Sequence, residues 1–458
     1  MAEELIKTRR DFPAVETLLR ASELKSALGS LPRPVAVAVV REVVAALKKG
    51  LDTNKGISKK KLFAEITSRL RLETAKGNTR VINATGVVVH TNLGRSPFSE
   101  TLLKDIQTSL VGYGNVEFDL TNGRRGGRGA ACEDYLTQLT GTEAGTVVNN
   151  NAAALFLILN TLANRKKVLI SRGELVQIGG GFRIPDILRR AGARLSEVGT
   201  TNVTSLADYE NAIDDRTGLI LKVHKSNFIQ AGFTDEVDLK PLVALGRKHS
   251  IPVVNDLGSG VLLPTGRILG YREPTVQESV RVGADLTCFS GDKLLGGMQS
   301  GLIVGRRDLI TRIKKNPLFR TVRVDKVVFF VLERLLTTYL NGTHQEQIKL
   351  WQMLGRSIKE LEQMATAALR EAGSPDGVTV EKTKAQVGGG ALPEQDLASV
   401  GLVFDKTHSA RQLMKKLRQG HPPVIGRIDD DRLILDLKAV DPSEVSMFAQ
   451  AIKKVLKR

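Results

Sequence analysis

Between about residues 140 and 305, short apolar runs alternate with longer amphipathic stretches, and this rhythm constrains the fold more than any other feature of the chain. The runs at 146–148, 167–171, 195–198, 219–223, 251–255 and 285–289 read as strands, and the stretches 155–162, 182–191, 206–213 and 239–249 as helices. Continuous apolar strands separated by helices are the pattern of a parallel sheet covered on both faces. The spacing therefore predicts a doubly wound α/β domain that binds its ligands at the carboxyl ends of the strands.

Two of those strand ends carry chemistry. The run Ile251-Pro252-Val253-Val254-Asn255-Asp256 ends in a carboxylate followed by Leu257-Gly258-Ser259-Gly260. Downstream, Cys288-Phe289-Ser290-Gly291-Asp292-Lys293 leads into Leu294-Leu295-Gly296-Gly297-Met298-Gln299-Ser300-Gly301 and sets one lysine between a strand and a glycine run. Alone, each has a plain structural reading, an exposed lysine in a turn and a strand-end aspartate capping the next turn. Together they point to pyridoxal phosphate (PLP): Lys293 as the Schiff-base lysine, Asp256 against the pyridine nitrogen. Ser290 is a candidate phosphate partner, and Asp292 a group that orients an amine or trades a proton. The turn Asn149-Asn150-Asn151, between a strand and an apolar helix, is the expected phosphate cradle, because open amides and the helix dipole favour an anion there. His224, Ser226 and Asn227 follow another strand and are candidate PLP contacts, with a hydrogen-bonded structural histidine as the alternative for His224.

Flanking this core, residues 1–80 read as a separate helical module, with helices at 35–47 and from Lys59 onward. It holds 17 Lys/Arg and 9 Asp/Glu, so +8 of the chain's +18 net charge lies there. Such an excess points to a polyanionic partner, although any single charge is equally explained by a solvated helix face. Residues 81–345 form the expected large domain. Residues 346–458 begin with one long helix, 354–372, then mix strands (378–383, 401–404, 433–437) with helices as a small α+β domain. No internal repeat is present. Two cysteines, Cys132 and Cys288, are too few for a disulfide framework, and six histidines without a His-x-x-x-His pair predict no metal site. The charged amino terminus and the lack of a long apolar run lead us to expect a cytoplasmic protein without a membrane partner.

The segments INATGVVVHTNLGR (82–95), VVNNNAAA (147–154), SRGELVQIGGGFRIPDI (171–187), VHKSNF (223–228), NDLGSG (255–260), SGDKLLGG (290–297), PLFRTVRVDK (317–326) and PPVIGRIDDDRLILDL (422–437) resemble, in order, those of bacterial selenocysteine synthase, the L-seryl-tRNA(Sec) selenium transferase family. The resemblance implies a fold-type I PLP-dependent transferase in which Lys293 holds PLP, Asp256 meets its ring nitrogen and a helical amino-terminal domain grips the tRNA. It further implies a ring of dimers, usually a decamer, that converts seryl-tRNA(Sec) to selenocysteinyl-tRNA(Sec) by β-elimination of the hydroxyl and addition of selenium from selenophosphate.

Selenophosphate is an anion, so the resemblance makes Arg95, Arg320 and Arg323 its expected partners; a surface ion pair with Asp325 is the alternative for the last two. Asp292 or returning Lys293 is the expected proton donor to the departing hydroxyl. Arg124, Arg125 and Arg128, in a basic glycine loop, are expected at the tRNA acceptor end or a neighbouring subunit, and Arg427 has no catalytic role. Met298, Ser300 and Lys225 depart from the family pattern beside the site. The competing readings are a PLP-dependent lyase or β-replacement enzyme acting on a free amino acid, which has no need of the basic module, and a tRNA-binding scaffold, which has no need of Lys293 or Asp256.

Overall fold

The computed structural model describes residues 5–29, 31–52, 55–74 and 76–456, in two compact units, Met1–Arg80 and Val81–Arg458. In the first, helices Val15–Leu19, Ser22–Leu28, Arg33–Lys49 and Lys59–Thr74 pack around Leu18, Leu24, Val40, Leu62, Ile66 and Leu70. The helical spacing of Leu62, Ile66 and Leu70 turns one face of the last helix inward, which leaves Lys60, Lys61 and Arg71 exposed. Pro34 stands in the first turn of Arg33–Lys49, where its missing N–H costs nothing, and Gly50 ends that helix.

The second unit is built on a seven-stranded sheet in the order Arg194–Val198, Lys167–Ser171, Thr217–Val223, Val253–Gly258, Leu286–Ser290, Gly301–Gly305, Ala144–Val148. All run parallel except Gly301–Gly305, which is antiparallel to both neighbours. Helices cover both faces, so strands such as Leu286–Ser290 are buried throughout. The turn after each parallel strand opens at one edge, and the lysine, the aspartate and the asparagine turn share that edge.

A five-stranded sheet follows, in the order Arg427–Asp429, Arg432–Asp436, Ala391–Phe404, Val378–Gly388, Val87–Val89. Val87–Val89 comes from the start of the unit and pairs in parallel with Val378–Gly388, and Ile82 and Ala84 pack into the core of this sheet. The two strands expected at 378–383 and 401–404 are the outer parts of one long hairpin. The helix expected over 354–372 is two helices, Lys349–Gly355 and Ile358–Ala372. Ser357 caps the second through a box with Glu360, so the chain restarts where an unbroken helix was expected. Among the described residues, no helix is long and apolar enough to cross a membrane.

Candidate active site

Asp256 lies in register with Val223 on one side and Cys288 on the other, and Lys293 stands in the turn after the next strand. The two are buried, 7% and 6% exposed. Gly258, at φ 63°, bends its strand end, and a Cβ there would stand 3.7 Å from Lys293 Nζ. Asn151 Nδ2 donates to Asp256 Oδ1 at 2.7 Å. Burial pushes the Asp256 carboxyl up, and it outweighs the bond from Asn151 and the charge of Lys293, which pull it down. Burial likewise pushes the Lys293 amine below its ordinary 10.5; Asp256 opposes this and the Arg95 guanidinium adds to it. A buried amine held toward its neutral form is the state a carbonyl-trapping lysine requires.

Asn150 caps the helix Asn151–Leu162, its Oδ1 accepting from Ala153 N at 2.9 Å. Gly301 passes so close that a Cβ would stand 2.2 Å from the Asn150 carbonyl oxygen, so only glycine fits behind this turn. Asn149 is exposed at the strand end, its amide donating to Val322 O at 2.9 Å. Of the three asparagines, one shapes the helix start, one reaches Asp256 and one faces outward. Ser290 is buried at the end of its strand. Asn151 Oδ1, Ser259 Oγ and Asp292 Oδ1 are buried without hydrogen-bond partners, on the turns that surround Lys293. A cluster of orphaned polar atoms around a reactive amine, beside a helix amino terminus, fits PLP.

Arg95 reaches this centre from the turn His90–Arg95, where Gly94 (φ 90°) and Arg95 (φ 63°) both take left-handed backbone. Its Nη1 donates to Asp292 Oδ2 at 2.5 Å. Ser96 Oγ donates to the Lys293 carbonyl at 2.7 Å, fastening the same turn beneath the lysine. A cavity of about 360 Å³ opens here, lined by Arg95, Ser96, Phe98, Asp292, Met298 and Gln299. Arg320 and Arg323 are not among its lining. Arg320 is exposed, and Arg323 Nη1 lies 3.7 Å from Glu117. Asp325 pairs with neither: its side chain caps the helix Lys326–Leu340 by accepting from Val328 N. The basic loop is a small hairpin, 118–119 against 124–125, and Glu117 holds both Arg125 and Arg128 at 2.7 Å. Arg427 is spent internally on Thr85 O (2.6 Å), Lys384 O (2.9 Å) and Asp436 (3.4 Å). Lys225 pairs with Glu236 at 2.7 Å.

His224 and Ser226 end the strand next to Asp256, with the His224 amide donating to the Asp256 carbonyl at 2.9 Å. His224 Nδ1 is buried without a hydrogen-bond partner. Sequence reasoning missed three contributors. The long hairpin brings Gly388, Gly389 and Gly390, all at positive φ, to the lysine: a Cβ on Gly390 would stand 3.2 Å from Ser226 Oγ and 3.5 Å from Lys293 Nζ. Three consecutive glycines were the available signal. Ser259 and Glu273 carry no local signature.

The direction of the Lys293 shift makes a prediction. Because the folded amine loses its proton at a lower pH than free lysine, apo-protein should capture PLP with a rate that rises with pH through a midpoint below 10.5. Stopped-flow absorbance across pH measures this, and a midpoint at or above the free-lysine value would refute the assignment.

With the geometry in place, comparison with known proteins identifies the class. The solved structure of D-glucosaminate-6-phosphate ammonia-lyase superposes with a TM-score of 0.61 at 18% identity, over 84% of this chain and 97% of that one. The fold is that of the fold-type I PLP enzymes. The family model described as L-seryl-tRNA selenium transferase matches residues 81–441, and one described as selenocysteine synthase N terminal matches residues 9–47. L-seryl-tRNA(Sec) selenium transferase of Geotalea daltonii is 44% identical, covering 98% of this chain and 99% of its own length. That of Aquifex aeolicus is 42% identical, over 93% of this chain and 95% of its own. The chain belongs to the L-seryl-tRNA selenium transferase family.

Proposed function

We propose that the protein converts seryl-tRNA(Sec) to selenocysteinyl-tRNA(Sec) with PLP as cofactor and selenophosphate as selenium donor. The observation that carries this reading is the buried Lys293–Asp256 pair in a chain that matches the family along almost its whole length. When bound, PLP supplies an electron sink for the carbanion formed at the serine Cα. Asp256 holds the charge of the ring nitrogen. Lys293 Nζ tethers the cofactor, then takes the Cα proton and later returns it. The amides at the start of Asn151–Leu162, with Ser290, would hold the phosphate group, and Ser226 would contact the ring.

Arg95 presents a planar fork for the oxygens of selenophosphate beside Lys293, whereas Arg320 and Arg323, outside that cavity, would meet the anion only on its way in. Residues 1–80 serve as the tRNA-binding domain, 81–345 as the cofactor domain and 346–458 as the cap. The working assembly is a cytoplasmic ring of dimers, supported by the family resemblance alone.

A single-turnover assay tests the reading. Purified protein with seryl-tRNA(Sec) and selenophosphate should yield selenocysteinyl-tRNA, and free serine should yield nothing. Turnover of free serine with no response to tRNA would move the protein to the small-substrate lyases.

A further inference from the structure

A second cavity, about 320 Å³, opens beside the strand end that carries His224, and its lining includes Lys222, Lys225, Gln230, Glu236 and Glu273. Its lysines are already engaged. Lys225 Nζ lies 2.7 Å from Glu236 and 2.7 Å from Gln230 Oε1, and Lys222 Nζ lies 2.7 Å from the buried Glu174. His224 and Glu273 are not engaged in this way. Glu273 is 2% exposed and is positioned through its backbone, whose N–H donates to Thr265 Oγ1 at 2.9 Å. Its Oε1 and the Nδ1 of His224 are both buried without hydrogen-bond partners, and they stand 3.8 Å apart.

An orphaned buried polar atom costs stability, and costs more when charged. Two such atoms facing each other do not serve stability, so the arrangement calls for a role in chemistry. The reaction centre is adjacent: the His224 amide binds the Asp256 carbonyl, and Glu273 is near enough to strengthen the hold of Lys293 on its proton. Asp292 is poorly placed to give up a proton, because Arg95 already donates to its Oδ2.

Resting on the function proposed above, we propose that His224 protonates the departing serine hydroxyl and that Glu273 is its positioning residue. With Nδ1 turned toward Glu273, Nε2 is the ring nitrogen left for the substrate. Lys293 Nζ takes the Cα proton, and the electron pair of that bond becomes the Cα–Cβ double bond. The Cβ–O bond breaks, its electron pair leaves with oxygen, and the His224 proton completes a water molecule. The neutral imidazole takes a proton from solvent in the cavity before the next turnover. Glu273 fixes the orientation of the ring, the part a carboxylate plays in other carboxylate–histidine pairs.

The test separates the two proton transfers in holoprotein given seryl-tRNA(Sec) in deuterated water. Solvent deuterium entering at Cα reports Lys293, and loss of the hydroxyl reports His224. His224→Gln should keep bound-cofactor absorbance and Cα exchange while hydroxyl loss slows by about 100-fold or more. Glu273→Gln keeps the shape of the side chain but not its hold on the ring, so hydroxyl loss should slow while bound-cofactor absorbance and Cα exchange stay at the wild-type level, a split that a general structural defect would not give. Lys222, Lys225, Glu236 and Arg272 also line this cavity and are unchanged in both variants, so they do not account for a difference between variant and wild type. Hydroxyl loss at the wild-type rate in His224→Gln, or an equal fall in exchange and hydroxyl loss, would overturn the proposal. So would hydroxyl loss at the wild-type rate in Glu273→Gln. Absence of both exchange and hydroxyl loss in the wild type would instead overturn the proposed function.

Discussion

Lys293→Ala should give a folded protein that no longer forms a covalent bond to PLP and makes selenocysteinyl-tRNA at least about 10⁴-fold more slowly, the upper range for loss of one acid–base group. The same amine tethers the cofactor and moves the Cα proton, so its loss removes two functions at once. No nearby lysine replaces it: Lys222 is held by Glu174 and Lys225 by Glu236. Folding should survive, because Lys293 Nζ makes no hydrogen bond among the described residues and burial disfavours its charge. Removing it does take away the positive charge nearest Asp256, so that carboxyl should rise further. Borohydride reduction followed by mass measurement of the peptide carrying residue 293 reads the result directly. A reduced cofactor still attached to the variant, or wild-type turnover, would sink the assignment.

How much of this was legible in the sequence depended on whether the cause was local. The strand Lys167–Ser171 and the helix Leu239–His249 fall at the expected bounds because each is an apolar pattern closed by its own turn residues. Lys293 and Asp256 were legible for the same reason, as polar residues at the ends of apolar strands. The hairpin 378–404 was underestimated because its inner half alternates charged and small residues around a glycine tip, which reads as a loop until Val87–Val89 pairs alongside. The Ser357–Glu360 capping box was present in the sequence and would have divided the helix there. Arg95 and Asp292, 197 residues apart, and Asn151 and Asp256, 105 apart, meet only through the fold. The His224–Glu273 pair belongs with them: a loop carboxylate has no pattern until a neighbour without a partner stands beside it.

The amino-terminal unit gives the second large effect, which lies in binding. Within it Arg33 pairs with Glu16, Arg69 with Glu42 and Lys76 with Glu73, so part of its positive charge is already met. Arg41, Lys60, Lys61 and Arg71 are exposed, and no ion pair involves them among the described residues. If each of the four neutralises one phosphate, removing residues 1–80 should make the slope of log affinity for tRNA against log salt shallower by about 3.6, at roughly 0.9 per phosphate. Over a rise from roughly 50 to 200 mM salt, the full chain should then lose about 150-fold more affinity than the shortened one. PLP capture should be unchanged, since the core of residues 1–80 is drawn from 6–70 alone and every group around Lys293 described above lies beyond it. Titration of labelled tRNA at several salt concentrations, with cofactor absorbance as the control for folding, measures both. Parallel salt slopes for the two chains would show that the tRNA is gripped elsewhere, and would leave the +8 charge of this unit without a partner.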